Sequence, residues 1–404
     1  DHRDLHYPLR RQRQMCIRDR CSSCWQVELS EGFLSCGISL GSHRKLNGMP
    51  AFPSQFMSAS EGMQVLGVWV HNLKPELVEL SETFALRWYG LAYLAGFIAG
   101  YYGLRWLAQK RLWVVGPEKV ADFIAYAALF GVFLGGRLGY VAFYMIPESG
   151  LGSVLENPLV IFQVWKGGMS SHGGILGLTI FTYFYARRAK CSWTGLGDGL
   201  VIFAPLGIFF GRLANFINGE LYGRVTSASV GMKFPKELLG REEEFHAAMK
   251  DAVEVDPDRL DGLWDNYLVS PSTGQGQLLE GVLEAGRADP AIIEAIAGYI
   301  QVRHPSQLYQ ALLEGLSLFA ILLLLRLRLP QMGHGIITGG FFILYATFRI
   351  VAEHFREPDS AWVIQDALTK GQFYSIFMYV IGIAFLVAGL KGKTGSLAGR
   401  TSAS

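Results

Sequence analysis

The sequence predicts an all-α polytopic membrane protein with about seven transmembrane helices and an extracytoplasmic cap between spans four and five. Composition is the first reason. Half of the 404 residues are hydrophobic and only 17% are charged, with a mean hydropathy of +0.26, which suits a chain solvated by lipid rather than a soluble enzyme. Patterning is the second. Apolar runs fall at roughly 86–107, 121–146, 173–186, 199–217, 308–327, 335–353 and 374–390, each near the ~20 residues that cross a bilayer as helix. The third run is the shortest. Charge distribution is the third reason, and it sets orientation. Lys and Arg collect in alternate connections: Arg105, Lys110, Arg111 and Lys119; then Arg187, Arg188 and Lys190; then Arg326 and Arg328; then Lys391, Lys393 and Arg400. The connection 147–171 carries only Lys166. The positive-inside rule then puts the N-terminus outside and the C-terminus inside. The net charge of +2 adds nothing to this.

The expected organisation is a leader 1–62, a first membrane part 63–223 with spans one to four, the cap 224–302, a second membrane part 303–391 with spans five to seven, and a cytoplasmic tail 392–404. The leader is Arg- and Ser-rich, lacks hydrophobic periodicity and holds four of the five cysteines. Cys16, Cys21, Cys24 and Cys36 follow the spacing of a plant-type iron–sulfur loop. No sheet pattern surrounds them, and spacing without its context is a weak match. No apolar run of about 7–15 residues follows the basic start, so the segment does not read as a secretory signal. Met57 and Met63 both read as natural starts, and the leader is expected to be non-native or disordered.

Span one opens on Arg87-Trp88-Tyr89-Gly90 with Tyr93 beyond, which reads as an interfacial aromatic belt or as part of a site. Span two ends Gly135-Gly136-Arg137-Leu138-Gly139-Tyr140. Its glycines permit close helix packing, and Arg137 reads equally as an interfacial anchor or a site residue. Trp165 to Gly174 has two glycine pairs around a short polar stretch. It reads as a turn or re-entrant segment carrying His172 to the membrane edge, a backbone tolerated only where protein or a wet cavity surrounds it. His172 is either structural or a proton acceptor.

Span four runs directly into Gly211-Arg212-Leu213-Ala214-Asn215-Phe216-Ile217-Asn218-Gly219-Glu220-Leu221-Tyr222-Gly223. An ionisable group at bilayer depth costs about 2.5–3.5 kcal/mol even on lenient scales, so it marks a functional site by default. Arg212, Asn215 and Gly219 share one helix face. A forked cation beside amide donors suits a phosphate headgroup. In the cap, acidic residues outnumber basic ones about two to one. Arg241 to Val253 has helical periodicity, and Asp289-Pro290 reads as an N-cap with proline at the first helical position. Arg303-His304-Pro305-Ser306-Gln307-Leu308-Tyr309 then returns the chain to span five, with His304 held extended by Pro305. Span six carries Tyr345, Arg349 and Glu353 at spacings of four, with Arg356 three further on, all on one face. A self-neutralising Arg349–Glu353 pair is the plainer reading, but such pairs seldom repay their desolvation.

Six of these stretches together, in this order, closely resemble the prolipoprotein diacylglyceryl transferases: Trp88-Tyr89-Gly90, Gly135 to Tyr140, His172-Gly173-Gly174, Gly211 to Gly223, Arg303 to Tyr309, and Phe348-Arg349-Ile350-Val351-Ala352-Glu353. The resemblance runs from about Met63 to the C-terminus. It departs at the cap, which is about twice the length the family leads one to expect, and at the leader, which has no counterpart. It implies an inner-membrane enzyme that moves the diacylglyceryl group of phosphatidylglycerol onto the lipobox cysteine thiol of a preprolipoprotein signal peptide. A thioether forms and glycerol phosphate leaves. By resemblance Arg212 and Arg349 bind the phosphate and Asn215 and Glu220 shape the site. His172 is the candidate base, and Tyr89, Tyr345 and Glu353 order the headgroup. Arg137, Gly223 and His304 are the remaining expected substrate contacts. The thiol belongs to the substrate, so Cys191 is incidental. No cofactor, metal or nucleic acid is expected, since the membrane part has neither a P-loop nor a metal-ligand cluster. A secondary transporter or proton-coupled channel is the alternative, because it too would bury Arg, Glu and His. Its usual second pseudo-repeat is missing from the sequence, and the polar groups gather at the span ends.

Overall fold

The computed structural model describes residues 68–81, 84–163, 168–357, 369–392 and 394–397. The leader expected over 1–62, with its four cysteines, lies outside the described residues, as do residues 164–167. The chain is a mostly helical, multi-pass membrane protein. Strands β1 (Glu76–Ser81) and β2 (Phe84–Arg87) form an antiparallel hairpin that leads directly into α1 (Trp88–Gln109). Next come α2 (Pro117–Gly152), α3 (Ser171–Arg188) and α4 (Trp193–Ile217). Strand β3 (Met232–Lys233) precedes four short helices, α5 (Glu242–Val255), α6 (Pro257–Val269), α7 (Pro271–Ala288) and α8 (Pro290–Ala297). Strand β4 (Val302–Arg303) pairs back onto β3, so the entry and exit of the four-helix insertion are stitched together. Helices α9 (Ser306–Arg328), α10 (Ile336–Glu353) and α11 (Lys370–Leu390) complete the chain. The all-α expectation holds, with two small β-ribbons added at places where the chain enters or leaves helical structure.

Among the described residues five helices, α2, α4, α9, α10 and α11, are long and apolar enough to cross a membrane. The first and third expected spans coincide with α1 and α3, which fall outside that set. Tyr, Trp and Gly dilute the hydropathy of α1. The shorter α3 opens on Ser171-His172-Gly173-Gly174 and ends on Arg187 and Arg188.

Two kinds of packing hold the helices. Between α2 and α3 it is glycine against glycine: a Cβ on Gly135 would sit 2.7 Å from the Gly177 Cα, and one on Gly139 only 2.4 Å from the Gly173 Cα. Spacings of four on both helices bring the backbones into contact, which is how bilayer helices associate when there is no hydrophobic force between them. Near Gly135, α2 is wound as a π-helix over Ala127–Phe133 and again over Val141–Met145. Elsewhere larger side chains interlock around Leu107, Phe123, Leu196, Ile202, Leu318 and Leu322.

The insertion has its own core, built on Phe245, Met249, Leu260, Leu278 and Val282. Three of its helices start with proline at the first turn, after Asp256, Ser270 and Asp289. The Asp289 carboxylate accepts from the Ala291 N–H at 2.9 Å, as its sequence position leads one to expect.

Candidate functional site

The signature stretch ends α4 in a turn that needs special backbone. Gly219 has φ +63° and Leu221 φ +57°, both in the left-handed region that costs a non-glycine residue energy. Several neighbours enforce it. Gln307 Nε2 donates to the Glu220 carbonyl at 2.7 Å and Ser306 Oγ to the Leu221 carbonyl at 2.9 Å. The Gly223 N–H donates to the His304 carbonyl at 2.8 Å. No side chain fits at Gly223, where a Cβ would lie 2.3 Å from the Phe355 carbonyl oxygen and 2.7 Å from the His304 Cβ. His304 and Gly223 are thus packed against each other, and His304 Nδ1 lies 3.2 Å from the Tyr309 hydroxyl.

On the other side of the turn, His71 is buried among aromatic rings and its Nε2–H donates to the Phe216 carbonyl at 2.7 Å. Its ring stacks on Phe234 and meets Trp69 and Phe216 edge-on. Burial pushes this imidazole down to about 4, with Phe216 opposing. From the insertion side, the buried Glu237 binds Arg303, whose Nη1 donates to the Gly223 carbonyl at 3.3 Å and whose guanidinium lies 5.0 Å from the Tyr222 ring centroid.

Two polar groups meet at this end of the bundle. In the first, Asn215 Nδ2 donates to the Glu220 carboxylate at 3.0 Å, and the Tyr89 hydroxyl bonds both residues. In the second, Glu314 of α9 lies between Arg212 Nη2 at 3.7 Å and Arg349 Nη1 at 3.5 Å. Arg349 Nη2 also pairs with Glu353 at 3.1 Å, one turn along α10. Arg212 joins the two groups, its Nη1 lying 3.5 Å from Asn215 Oδ1. Arg356 adds a third buried guanidinium. Burial first, and then the Arg349 and Arg212 charges, pull it down to about 10. Three guanidiniums therefore face two carboxylates, Glu314 and Glu353. Tyr345 is one turn from Arg349 on α10, with its ring stacked on Phe341.

This cluster is under-bonded. Glu314 is fully buried, yet among the described residues neither of its carboxylate oxygens has a hydrogen-bond donor. Both amide atoms of Gln310, one turn before it, are likewise buried without a hydrogen-bond partner among the described residues. Each such orphan costs about 1–3 kcal/mol and calls for an explanation, a catalytic role being one. The arrangement suits an anion, held between planar cations and reached by amide donors.

Sequence reasoning anticipated Arg212, Asn215, Glu220, Arg349 and Glu353 as neighbours and missed Glu314 and Gln310. The signal for Glu314 was present: it is the sole acid in an otherwise apolar run from Ala311 to Leu316. Arg137, expected as a substrate contact, is bonded to backbone carbonyls. Its Nε, Nη1 and Nη2 donate to the carbonyls of Ile161, Gly168 and Val160 at 2.9, 2.9 and 2.6 Å, so it pins the segment that leads into α3. His172 is exposed in the first turn of α3, and among the described residues it makes no hydrogen bond to the arginine–carboxylate cluster. No group of three His, Cys, Asp or Glu among the described residues is arranged to hold a metal ion.

Comparison with models of known families matches residues 75–388 to the family described as prolipoprotein diacylglyceryl transferase. Individual relatives agree. The chain is 39% identical over 332 residues to the phosphatidylglycerol--prolipoprotein diacylglyceryl transferase of Bdellovibrio bacteriovorus, covering 79% of this chain and 93% of that protein. It is 38% identical to the protein of the same name from Escherichia fergusonii and 37% identical to that from Citrobacter koseri, in each case over 75% of this chain and 89% of the relative.

Proposed function

The chain belongs to the prolipoprotein diacylglyceryl transferase family, and we propose that the Arg212–Glu314–Arg349–Glu353 cluster is where it carries out that transfer. The donor is phosphatidylglycerol and the acceptor is a prolipoprotein, through its lipobox cysteine. The acceptor sulfur attacks the glycerol carbon that bears the phosphate. A C–S bond forms as the C–O bond to phosphate breaks, the electron pair stays on the phosphate oxygen, and glycerol phosphate leaves. The thiol gives up its proton to a base. Two demands follow: developing charge on the leaving phosphate must be held, and a thiol of pKa near 8.5 must lose its proton. Arg212 and Arg349, with Arg356 behind them, meet the first. Glu314 keeps the two cations apart and oriented until the phosphate arrives. Tyr89, Asn215 and Glu220 order the headgroup, with Tyr345 and Glu353 on the facing helix. His172 is the proposed base, and its exposure leaves the imidazole accessible to an incoming peptide. The observation that carries the reading is the buried, under-bonded Glu314 between two arginines.

In this reading α1 and α3 also cross the membrane, giving seven spans. Their close backbone packing on α4 and α2 supports it: a Cβ on Gly96 of α1 would lie only 3.3 Å from the Gly207 Cα of α4. The insertion, part of a cap spanning 224–302, lies outside the cytoplasmic membrane together with the N-terminus, while the C-terminal tail 392–404 lies inside. Membrane parts 63–223 and 303–391 flank the cap. Purified protein incubated with phosphatidylglycerol and a lipobox peptide should give a peptide mass increase equal to one diacylglyceryl group. No mass shift under conditions that keep the protein folded would remove the reading. Single-cysteine labelling from outside should modify positions in 240–290 and spare 187–190; the reverse would invert the orientation.

A further inference from the structure

The largely apolar cavity beside the site has a shape that the cluster itself does not explain. About 310 Å³ in volume, it runs along the seam of α1 and α4 and is walled on its other side by α2 and Leu178 of α3. Of its lining side chains only Tyr93 carries a polar atom. The two seam helices are antiparallel, and their register fixes where the cavity ends. The Tyr89–Asn215 contact marks the site end, and two turns further on Gly96 meets Gly207. Ala92 and Tyr93 line the near end of the cavity, one turn from Tyr89, and Leu104 and Leu200 line the far end. At a rise of about 1.5 Å per residue, Tyr93 to Leu104 spans roughly 17 Å. Tyr93 and Phe97 are exposed on the bundle surface.

Two glycines keep this space open. Gly100 and Gly207 line the cavity, and a Cβ on either would meet nothing within 4 Å. Glycine weakens a helix, and tight packing of its own missing side chain explains it at Gly135 or Gly139 but not at these two positions.

Building on the diacylglyceryl-transfer reading, we propose that this groove holds one fatty acyl chain of the donor lipid and sets how long a chain is accepted. Its near end is one helical turn from the polar groups that order the headgroup. A chain esterified to the same glycerol must leave the headgroup within that distance and continue into apolar surroundings. The groove is narrow, almost wholly apolar and directed away from the charges, as an acyl chain requires.

The test is a competition. Wild-type protein, Gly207→Leu and Gly100→Leu each receive equimolar dioctanoyl- and dipalmitoyl-phosphatidylglycerol with a lipobox peptide, and mass spectrometry reads the ratio of the two products. That ratio is independent of how much protein is folded. Filling the groove at Gly100, roughly 10 Å in from Tyr93, should displace the inner end of the long chain and spare one half its length, whereas Gly207, level with Gly96 near the mouth, should hinder both when filled. Loss of two buried methylenes already shifts the ratio about tenfold toward the dioctanoyl product. Gly207→Ala should leave the ratio near wild type. An unchanged ratio in Gly100→Leu overturns the proposal, and is what a bilayer lipid filling the groove passively would give. Failure of the wild-type protein to transfer either lipid would instead strike the underlying function.

Discussion

The same three helices, α4, α9 and α10, carry a buried ion-pair group at each end, and the two groups are built differently. Away from the site, Asp198 is fully buried and its carboxylate is saturated. It accepts from Arg326 Nη2 at 3.3 Å, the Gly335 N–H at 2.8 Å, and the Thr338 N–H and Oγ1–H at 2.9 and 2.8 Å. Those backbone donors are the first free N–H groups of α10, where the helix dipole favours an anion. About 21 Å along α4, by helical rise, Glu314 has among the described residues only ion pairs at 3.5 and 3.7 Å and no hydrogen-bond donor. A saturated carboxylate fixes three helix ends in one geometry. An unsaturated one between cations does not repay its desolvation, so its retention points to a charge that arrives with the substrate.

The largest expected effect falls on the site end. Arg212→Ala or Arg349→Ala should each lower kcat/KM for transfer by about 10²–10³-fold or more, because on the proposed reading each removes a cation that holds the leaving phosphate. Lysine should rescue poorly, since it lacks the planar fork. Transfer assays on membranes with matched protein levels decide this, and near-normal activity in either alanine variant removes that residue from the site. At the opposite end, Asp198→Ala strands the buried Arg326 and the α10 N–H groups and should cost about 3–5 kcal/mol of stability. Thermal unfolding in detergent checks it; an unchanged Tm would mean the saturated group is not structural.

A smaller effect attaches to His71, which braces the signature turn from outside the spans. Its folded pKa of about 4 lies below the ordinary 6.5. Above pH 6.5 both folded and unfolded chains hold it neutral, and its contribution to stability is complete. As pH falls from 6.5 toward 4 the unfolded chain takes up a proton that the folded one refuses. Stability drains through that window, by roughly 3 kcal/mol in all. Unfolding curves between pH 7 and 4 should show this slope in wild type and lose it in His71→Phe. Equal slopes would mean that His71 is not held neutral by the turn.

The sequence made the site end more legible than the rest. Arg349 and Glu353 stand four apart, and Arg212 and Asn215 three apart, so helical spacing alone unites them in pairs. Nothing in a linear pattern relates Asp198 to Arg326, 128 residues apart; their pairing is set by how α4 and α9 pack. Arg326 was therefore read as a loop charge that helps orient the chain, whereas it is 2% exposed and paired inside the bundle. Arg328, at the end of the same helix, carries that part of the orientation argument. The hairpin before α1 was hidden for a related reason, because a six-residue and a four-residue strand give too short an alternation to register beside a long apolar helix. Arg137 shows the converse. Its motif left an anchor and a site role equally open, and two of its carbonyl partners, Val160 and Ile161, come from a segment with no recognisable pattern, the third, Gly168, from the glycine-rich stretch before α3.

The most direct test of the contrast between the two ends is transfer per folded molecule for Arg349→Gln and Asp198→Asn, measured side by side. Each substitution neutralises one charge while keeping hydrogen-bonding atoms. Arg349→Gln should lose about 10²-fold or more in turnover per folded molecule, whereas Asp198→Asn should yield less folded protein whose remaining molecules turn over at close to the wild-type rate. Equal turnover losses in the two variants, or a larger loss in Asp198→Asn, would contradict the assignment of catalysis to the group with the unsaturated carboxylate and structure to the group with the saturated one.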